Sequence, residues 1–268
     1  MVLDFQTILL FLLLGMFVGF MSGLLGLGGG GFLVPAFVTI FSFDGMLNDN
    51  LMHVALGTSM MSIVITSYVS FKEHNKREGV IWDIFKKMAI GVVLGTFLAT
   101  FISSNISSYF LAIFFSILMF IISIRMILDI KSKVEYKPYT SKTLFSAGMI
   151  IGAISAMMSV GGGAFSVPFL VSRGIEMKKA IGTSAAIGFP IAVFGTIGFM
   201  INGWESTSFA NYQIGNIYLP AVIFVSIATI FTVPYGVKMA HTIPTNALKK
   251  IFAFLLIGLS IKMAIKFL

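Results

Sequence analysis

The sequence predicts an all-α membrane protein: a polytopic helical bundle of two inverted repeats, each with a glycine-broken helical hairpin plus three spanning helices. Three observations predict it. The 268 residues are 57% hydrophobic and 10% charged, with a mean hydropathy of +1.00, whereas soluble domains carry about 25% charged residues. Apolar runs of the length a bilayer core requires alternate with polar breaks. The two halves also carry the same motifs in the same order. This composition excludes a soluble globular enzyme, a disordered chain and a fibrous repeat, because the charges are too few to cover a water-facing surface. The net charge of +8 points to Lys and Arg held in cytoplasmic loops rather than to nucleic acid. Cysteine is absent, which excludes disulfides, thiolate metal sites and a Cys nucleophile. Residues 1–5 include Asp4 and no basic group, so the first apolar run is expected to persist as a helix and not to be cleaved. The expected setting is a cell membrane crossed many times, of the bacterial inner-membrane type, with the lipid bilayer as one partner.

The apolar runs cover residues 7–27, 32–43, 52–71, 84–102 and 109–128. A charged linker with Asp129, Lys131, Lys133, Glu135, Lys137 and Pro138 follows. The second set covers 143–160, 164–171, 180–201, 217–233 and 248–265. Runs 32–43 and 164–171 are too short to cross about 30 Å as helices, and each follows a glycine run. They read as the short arms of broken hairpins. The chain is thus expected to be one transmembrane domain over 1–268, with repeat 1 over about 7–130 and repeat 2 over about 143–268.

The duplication is explicit. Gly19-x-x-Ser22 with Gly28-Gly29-Gly30-Gly31-Phe32-Leu33-Val34-Pro35 matches Gly152-x-x-Ser155 with Gly161-Gly162-Gly163-Ala164-Phe165-Ser166-Val167-Pro168, at a constant offset of 133. Ala55-Leu56-Gly57-Thr58-Ser59 matches Ala180-Ile181-Gly182-Thr183-Ser184 at an offset of 125. Internal duplication of this kind marks transporter repeats. Loop charges orient each half. Lys72, Lys76, Arg77, Lys86 and Lys87 put the loop after run 52–71 inside, whereas Asp44 and Asp49 put the loop before it outside. In the second half Arg173, Lys178 and Lys179 precede run 180–201, and residues 202–216 after it lack Lys and Arg. Equivalent helices therefore run in opposite directions. Lys262 and Lys266 fall near an outside end and read as snorkelling side chains.

The chemistry sits at the glycines and hydroxyls. Glycine lets the backbone break with no side chain in the way. Broken backbone at membrane depth must be buried in protein or line a cavity. A half-helix behind the break begins with free N–H groups and the positive end of its dipole, which draws anions. Two such ends converge near the midplane of an inverted repeat. Close helix packing is the other use of such glycines. Hydroxyls at Ser22, Thr58, Ser59, Ser155, Thr183 and Ser184 can donate to an oxyanion without fixed charge; their other use is bonding between or within helices. The expected substrate-binding set is Ser22, Gly28, Gly29, Gly30, Thr58, Ser59, Ser155, Gly161, Gly162, Gly163, Thr183 and Ser184.

Other polar residues have plainer readings. His53, His74 and His241 fall near membrane edges and read as interfacial, with His74 a candidate proton-linked group. Arg125 and Arg173 read as positive-inside anchors, and Trp204 and Tyr212 as interfacial aromatics. None of the ten acids falls in mid-span, which argues against a carboxylate proton relay. No phosphate-binding loop is present, so ATP hydrolysis is not expected. Nothing suggests a cofactor, a metal site or a catalytic residue.

The paired Gly-Gly-Gly-x-Phe-x-Val-Pro and Ala-x-Gly-Thr-Ser motifs resemble the sulfite/organosulfonate exporter family, the TauE/SafE or TSUP permeases. The likeness runs from about Gly15 to Ile265, and His74 with Gly79 matches a His-x-x-x-x-Gly pattern of the first half. The second half lacks that His, and carries Ala164 opposite Gly31 and Ala156 opposite Gly23. The resemblance implies transport of a small inorganic or organic sulfur-containing anion: sulfite, thiosulfate or a sulfonate. A secondary carrier working by alternating access, with the anion between the two hairpins, is the leading expectation. A channel using the same site is the alternative, and a homo-oligomer is compatible with either. An intramembrane serine enzyme would have to rest on Ser22, which has no mid-span His as base.

Overall fold

The computed structural model describes residues 4–26, 28–43, 50–128, 140–242 and 246–267. Among the described residues ten helices answer the ten apolar runs: α1 (Phe5–Leu25), α2 (Gly30–Phe43), α3 (Leu51–Asn75), α4 (Trp82–Ser104), α5 (Ser108–Ile127), α6 (Ser141–Met158), α7 (Gly163–Ser172), α8 (Met177–Asn202), α9 (Leu219–Thr242) and α10 (Asn246–Phe267). Seven of these, α1, α3, α4, α5, α6, α8 and α9, hold apolar stretches long enough to cross a membrane, while α2 and α7 are shorter. The loop with Asp44 and Asp49, the linker 129–139 and the side chains of His241 and Lys249 lie outside the described residues.

Lipid gives helices no hydrophobic reason to associate, so their contacts depend on small residues that let backbones approach. Gly15, Gly19 and Gly23 form one stripe on α1. A Cβ at Gly15 would sit 2.5 Å from the Val225 carbonyl, and one at Gly23 would meet Val233. The stripe seats α1 on α9. In the other half, Gly148 and Gly152 on α6 meet Met88 and Val92 of α4, whose Gly91 and Gly95 receive Phe145 and Met149 in return. These are the two most extensive pairings, and exchanging the halves turns one into the other. The same exchange relates α3–α9 to α8–α4 and α2–α3 to α7–α8, while α3–α8 and α5–α10 pair across the middle.

Three expectations change. Run 217–233 is expected to stop before Pro234, but α9 continues through it to Thr242. Packed neighbours tolerate the missing N–H inside a membrane helix, and α1 lies against this stretch with Phe20 at Gly236. The polar segment before α9 is not a plain loop. Two short turns (Trp204–Ser206 and Phe209–Asn211) lead into a hairpin of β1 (Gln213–Ile214) and β2 (Ile217–Tyr218), which bends at Gly215 with φ +56°. The hairpin delivers Tyr218 into the core, edge-on to Phe41 with ring centroids 5.6 Å apart. Finally, His53 and His74 sit near the two ends of α3, as expected, but are buried in protein instead of lying on its surface. His53 lies between the Ser103 carbonyl (3.1 Å) and the Ser108 hydroxyl (3.3 Å), and His74 lies 3.3 Å from the Gly23 carbonyl. Carbonyls near helix ends need donors, and these two rings reach them from opposite ends of α3.

Candidate functional site

The two glycine breaks meet each other. α1 ends at Gly26 and α6 at Ser159, equivalent positions that both take left-handed conformations, with φ +67° and +48°. The chain then turns through Gly28 and Gly29 in one half and Gly162 in the other, all at positive φ. At the crossing, a Cβ on Gly28 would lie 2.5 Å from the Gly161 Cα, and one on Gly161 would lie 2.8 Å from the Gly28 Cα. Only two glycines can pass this closely. Gly30 abuts the Ser159 carbonyl, and the Ser159 hydroxyl donates to the Leu56 carbonyl at 2.8 Å. Ser159 is a member of this center that the motif comparison missed, because its counterpart Gly26 has no side chain.

Behind the crossing the half-helices begin. Gly162 caps α7, accepting from Phe165 and Ser166 N–H groups, and Gly29 does the same for α2 toward Phe32 and Leu33. Among the described residues the N–H groups of Gly163 and Ala164 have no hydrogen-bond partner. These are the orphan donors a helix start leaves, and they carry its partial positive charge.

The hydroxyls divide into two groups. Thr58 accepts the Tyr218 N–H at 3.0 Å, and Thr183 accepts the Ile81 N–H at 2.9 Å. Beside them Gly57 and Gly182 give room to the Asn216 and Gly79 carbonyls. The repeated Gly-Thr pair is therefore a reciprocal tie: each half holds the chain entering α9 or α4 of the other. Ser184 is also engaged, 2.6 Å from the Ser166 hydroxyl, which in turn bonds Gly162. Repeat 1 has Leu33 where Ser166 stands, so Ser59 has no such neighbour.

Ser22, Ser59 and Ser155 form the second group. They are buried to within 1% of full exclusion, and their oxygens have no hydrogen-bond partner among the described residues. Ser22 and Ser155 lie one turn before the breaks, where their carbonyls receive Gly26 and Val160. Ser59 shares a helix face with Leu56, bonded to Ser159, and with Ile63, which touches both Gly30 and Gly161. An unpaired buried hydroxyl costs about 1–3 kcal/mol, and each needs a physical reason such as a water or an ion.

No group of three or more His, Cys, Asp or Glu side chains among the described residues could hold a metal ion. The site is neutral and donor-rich, suited to an anion that must also leave.

Comparison with known proteins gives one consistent result. The family model for the sulfite exporter TauE/SafE matches residues 11–263. A probable membrane transporter protein of Haemophilus influenzae is 36% identical, over 98% of this chain and 100% of its own length. One from Methanocaldococcus jannaschii is 25% identical over 92% of both chains. One from Bacillus subtilis is 26% identical over 74% of this chain and 80% of its own. No solved structure matches. With its apolar spans and its duplicated glycine breaks, the chain is a multi-pass membrane protein that belongs to the sulfite exporter TauE/SafE family.

Proposed function

We propose that this protein is a secondary carrier of a small sulfur oxyanion, namely sulfite, thiosulfate or an organosulfonate, working by alternating access between two inverted repeats. One observation carries the reading: the two glycine breaks cross at Gly28 and Gly161 beside three buried hydroxyls that have no hydrogen-bond partner among the described residues. The anion is held near the midplane by the N–H groups that open the half-helices, with Ser22, Ser59 and Ser155 donating. Gly29, Gly30, Gly162, Gly163 and Ser184 shape this center, and Thr58 and Thr183 tie its walls together. Backbone and hydroxyl donors suit a weakly basic oxyanion because they match charge without trapping it. The exchange symmetry of the helix pairings, with the opposed loop charges, supports inverted halves.

Flux into proteoliposomes from a panel of sulfite, thiosulfate, taurine, sulfoacetate, sulfate and chloride tests the reading. Saturable flux of a sulfur oxyanion, accelerated by the same anion on the far side, is the expected result. Unsaturable conductance would make the protein a channel, and flux of chloride alone would overturn the substrate class.

A further inference from the structure

Two clefts lie against the proline-bearing half-helices, and they are unequal. The first lies between α5 and α7 and has a volume of about 260 Å³. Arg125, Phe165, Pro168 and Ser172 line it, and it reaches Ala164 at the start of α7. The second lies between α10 and α2, where Pro35, Thr39, Lys262 and Lys266 enclose about 10 Å³. Pro35 and Thr39 precede Pro168 and Ser172 by 133 residues, the offset of the glycine motif. The clefts are therefore counterparts. Each sets the proline-bearing half-helix of one half against the last helix of the other, and each takes a basic side chain from near the end of that last helix.

The basic groups differ in what they do. Lys266 donates to the Val38 carbonyl at 3.0 Å and bonds the Ser42 hydroxyl, which pins α10 to the end of α2. Arg125 is exposed and makes no ion pair or hydrogen bond among the described residues. The guanidinium of Arg173 stands 5.5 Å above the ring of Phe169, a residue that lines the cleft. One water needs about 10–15 Å³, so the Lys266 cleft has room for about one water at most, while the Arg125 cleft can admit a small hydrated ion.

We propose that the Arg125 cleft is a second anion site, a docking vestibule for a free small oxyanion on the side open in this structure, and that the Lys266 cleft is its shut twin. The guanidinium offers a planar fork matched to two oxygens of such an anion, and Phe165 and Pro168 stand beside it. From there the cleft leads to Ala164, whose N–H has no hydrogen-bond partner among the described residues. When the other side opens, Lys266 exchanges its bonds to Val38 and Ser42 for the anion. This proposal rests on the carrier reading, but binding in the cleft can be measured without flux.

The cysteine-free chain allows a direct test in phosphatidylcholine nanodiscs, with Ser172→Cys and Thr39→Cys labelled by a small maleimide. Ser172→Cys should react about ten-fold faster than Thr39→Cys, and saturating methanesulfonate should slow it about ten-fold, the equivalent of 1.4 kcal/mol. Arg125→Gln should remove that protection, and Arg125→Lys should keep part of it. Lys266→Gln should raise the reactivity of Thr39→Cys. Protection that is absent, or that survives Arg125→Gln, overturns the proposal. So does protection by phosphatidylglycerol in place of methanesulfonate, which would make the cleft a lipid headgroup site. Should protection fail while the wild type still carries sulfite saturably, the vestibule falls and the carrier stands. Arg125-dependent protection in a protein that moves no anion of the panel would do the reverse.

Discussion

Two kinds of hydroxyl occupy the center, and substitution should separate them. Thr58 and Thr183 accept backbone N–H groups from the opposite half. Thr58→Val or Thr183→Val removes the acceptor of a buried or half-buried N–H, so each should lose about 1–3 kcal/mol of stability. Melting temperature should fall, and the half-saturation of the protein that still folds should change little. Among the described residues Ser22 and Ser155 have no partner to lose. Ser22→Ala and Ser155→Ala should leave melting unchanged or slightly raised. If each hydroxyl donates to the anion, a bond worth about 1.5–3 kcal/mol disappears and half-saturation rises roughly ten- to hundred-fold. Unchanged half-saturation in both alanine variants would move the anion elsewhere.

Among the elements, the glycine breaks and the glycine stripes use the same residue for different ends. At Gly91 a side chain would press on the Phe145 carbonyl, and at Gly161 it would press on the Gly28 Cα. Both backbones have φ values that alanine accepts, so only the close approach is altered. Gly91→Ala should lower folded yield, with flux falling in proportion. Gly161→Ala should reduce flux per folded molecule beyond any loss of stability, because it separates the two half-helix starts. Leucine at Gly29 or Gly162 is a blunter probe. Both positions have positive φ and face Val18 and Ile191 side chains, so leucine there should compromise folding as well as transport. Size-exclusion yield beside flux on the same samples distinguishes these outcomes.

For the whole molecule, the exchange of helix pairings between halves becomes a statement about sides. If the halves are inverted, Lys76→Cys and Ser208→Cys label from opposite faces, with Lys178→Cys on the face of Lys76. The motivation is the reversed Lys and Arg pattern, and an impermeant thiol reagent on intact and opened vesicles reads it. Labelling of positions 76 and 208 from one face would remove the inverted repeat and the alternating-access reading with it.

Much of this architecture is legible in the sequence for definite reasons. Bilayer thickness fixes the length of a spanning helix, so the long apolar runs announce the long helices, and the duplicated glycine motifs locate both breaks and the short helices behind them within a residue or two. The helix borders are also set by local chemistry, as where Thr7 donates its N–H to Asp4 and holds that carboxyl below its usual range. Which hydroxyl is free and which is tied depends on neighbours in other elements, 18 positions away for Ser184 and 160 for Thr58. Thr58 meets Tyr218 only because the hairpin before α9 folds back, and Ser59 stays unpaired because Leu33 replaces a serine. Sequence motifs record that a residue type is repeated, and they do not record its partners. The contact of Gly28 with Gly161, the burial of His53 and His74, and the inequality of the Arg125 and Lys266 clefts arise only when the halves pack. That packing gives two similar segments different surroundings.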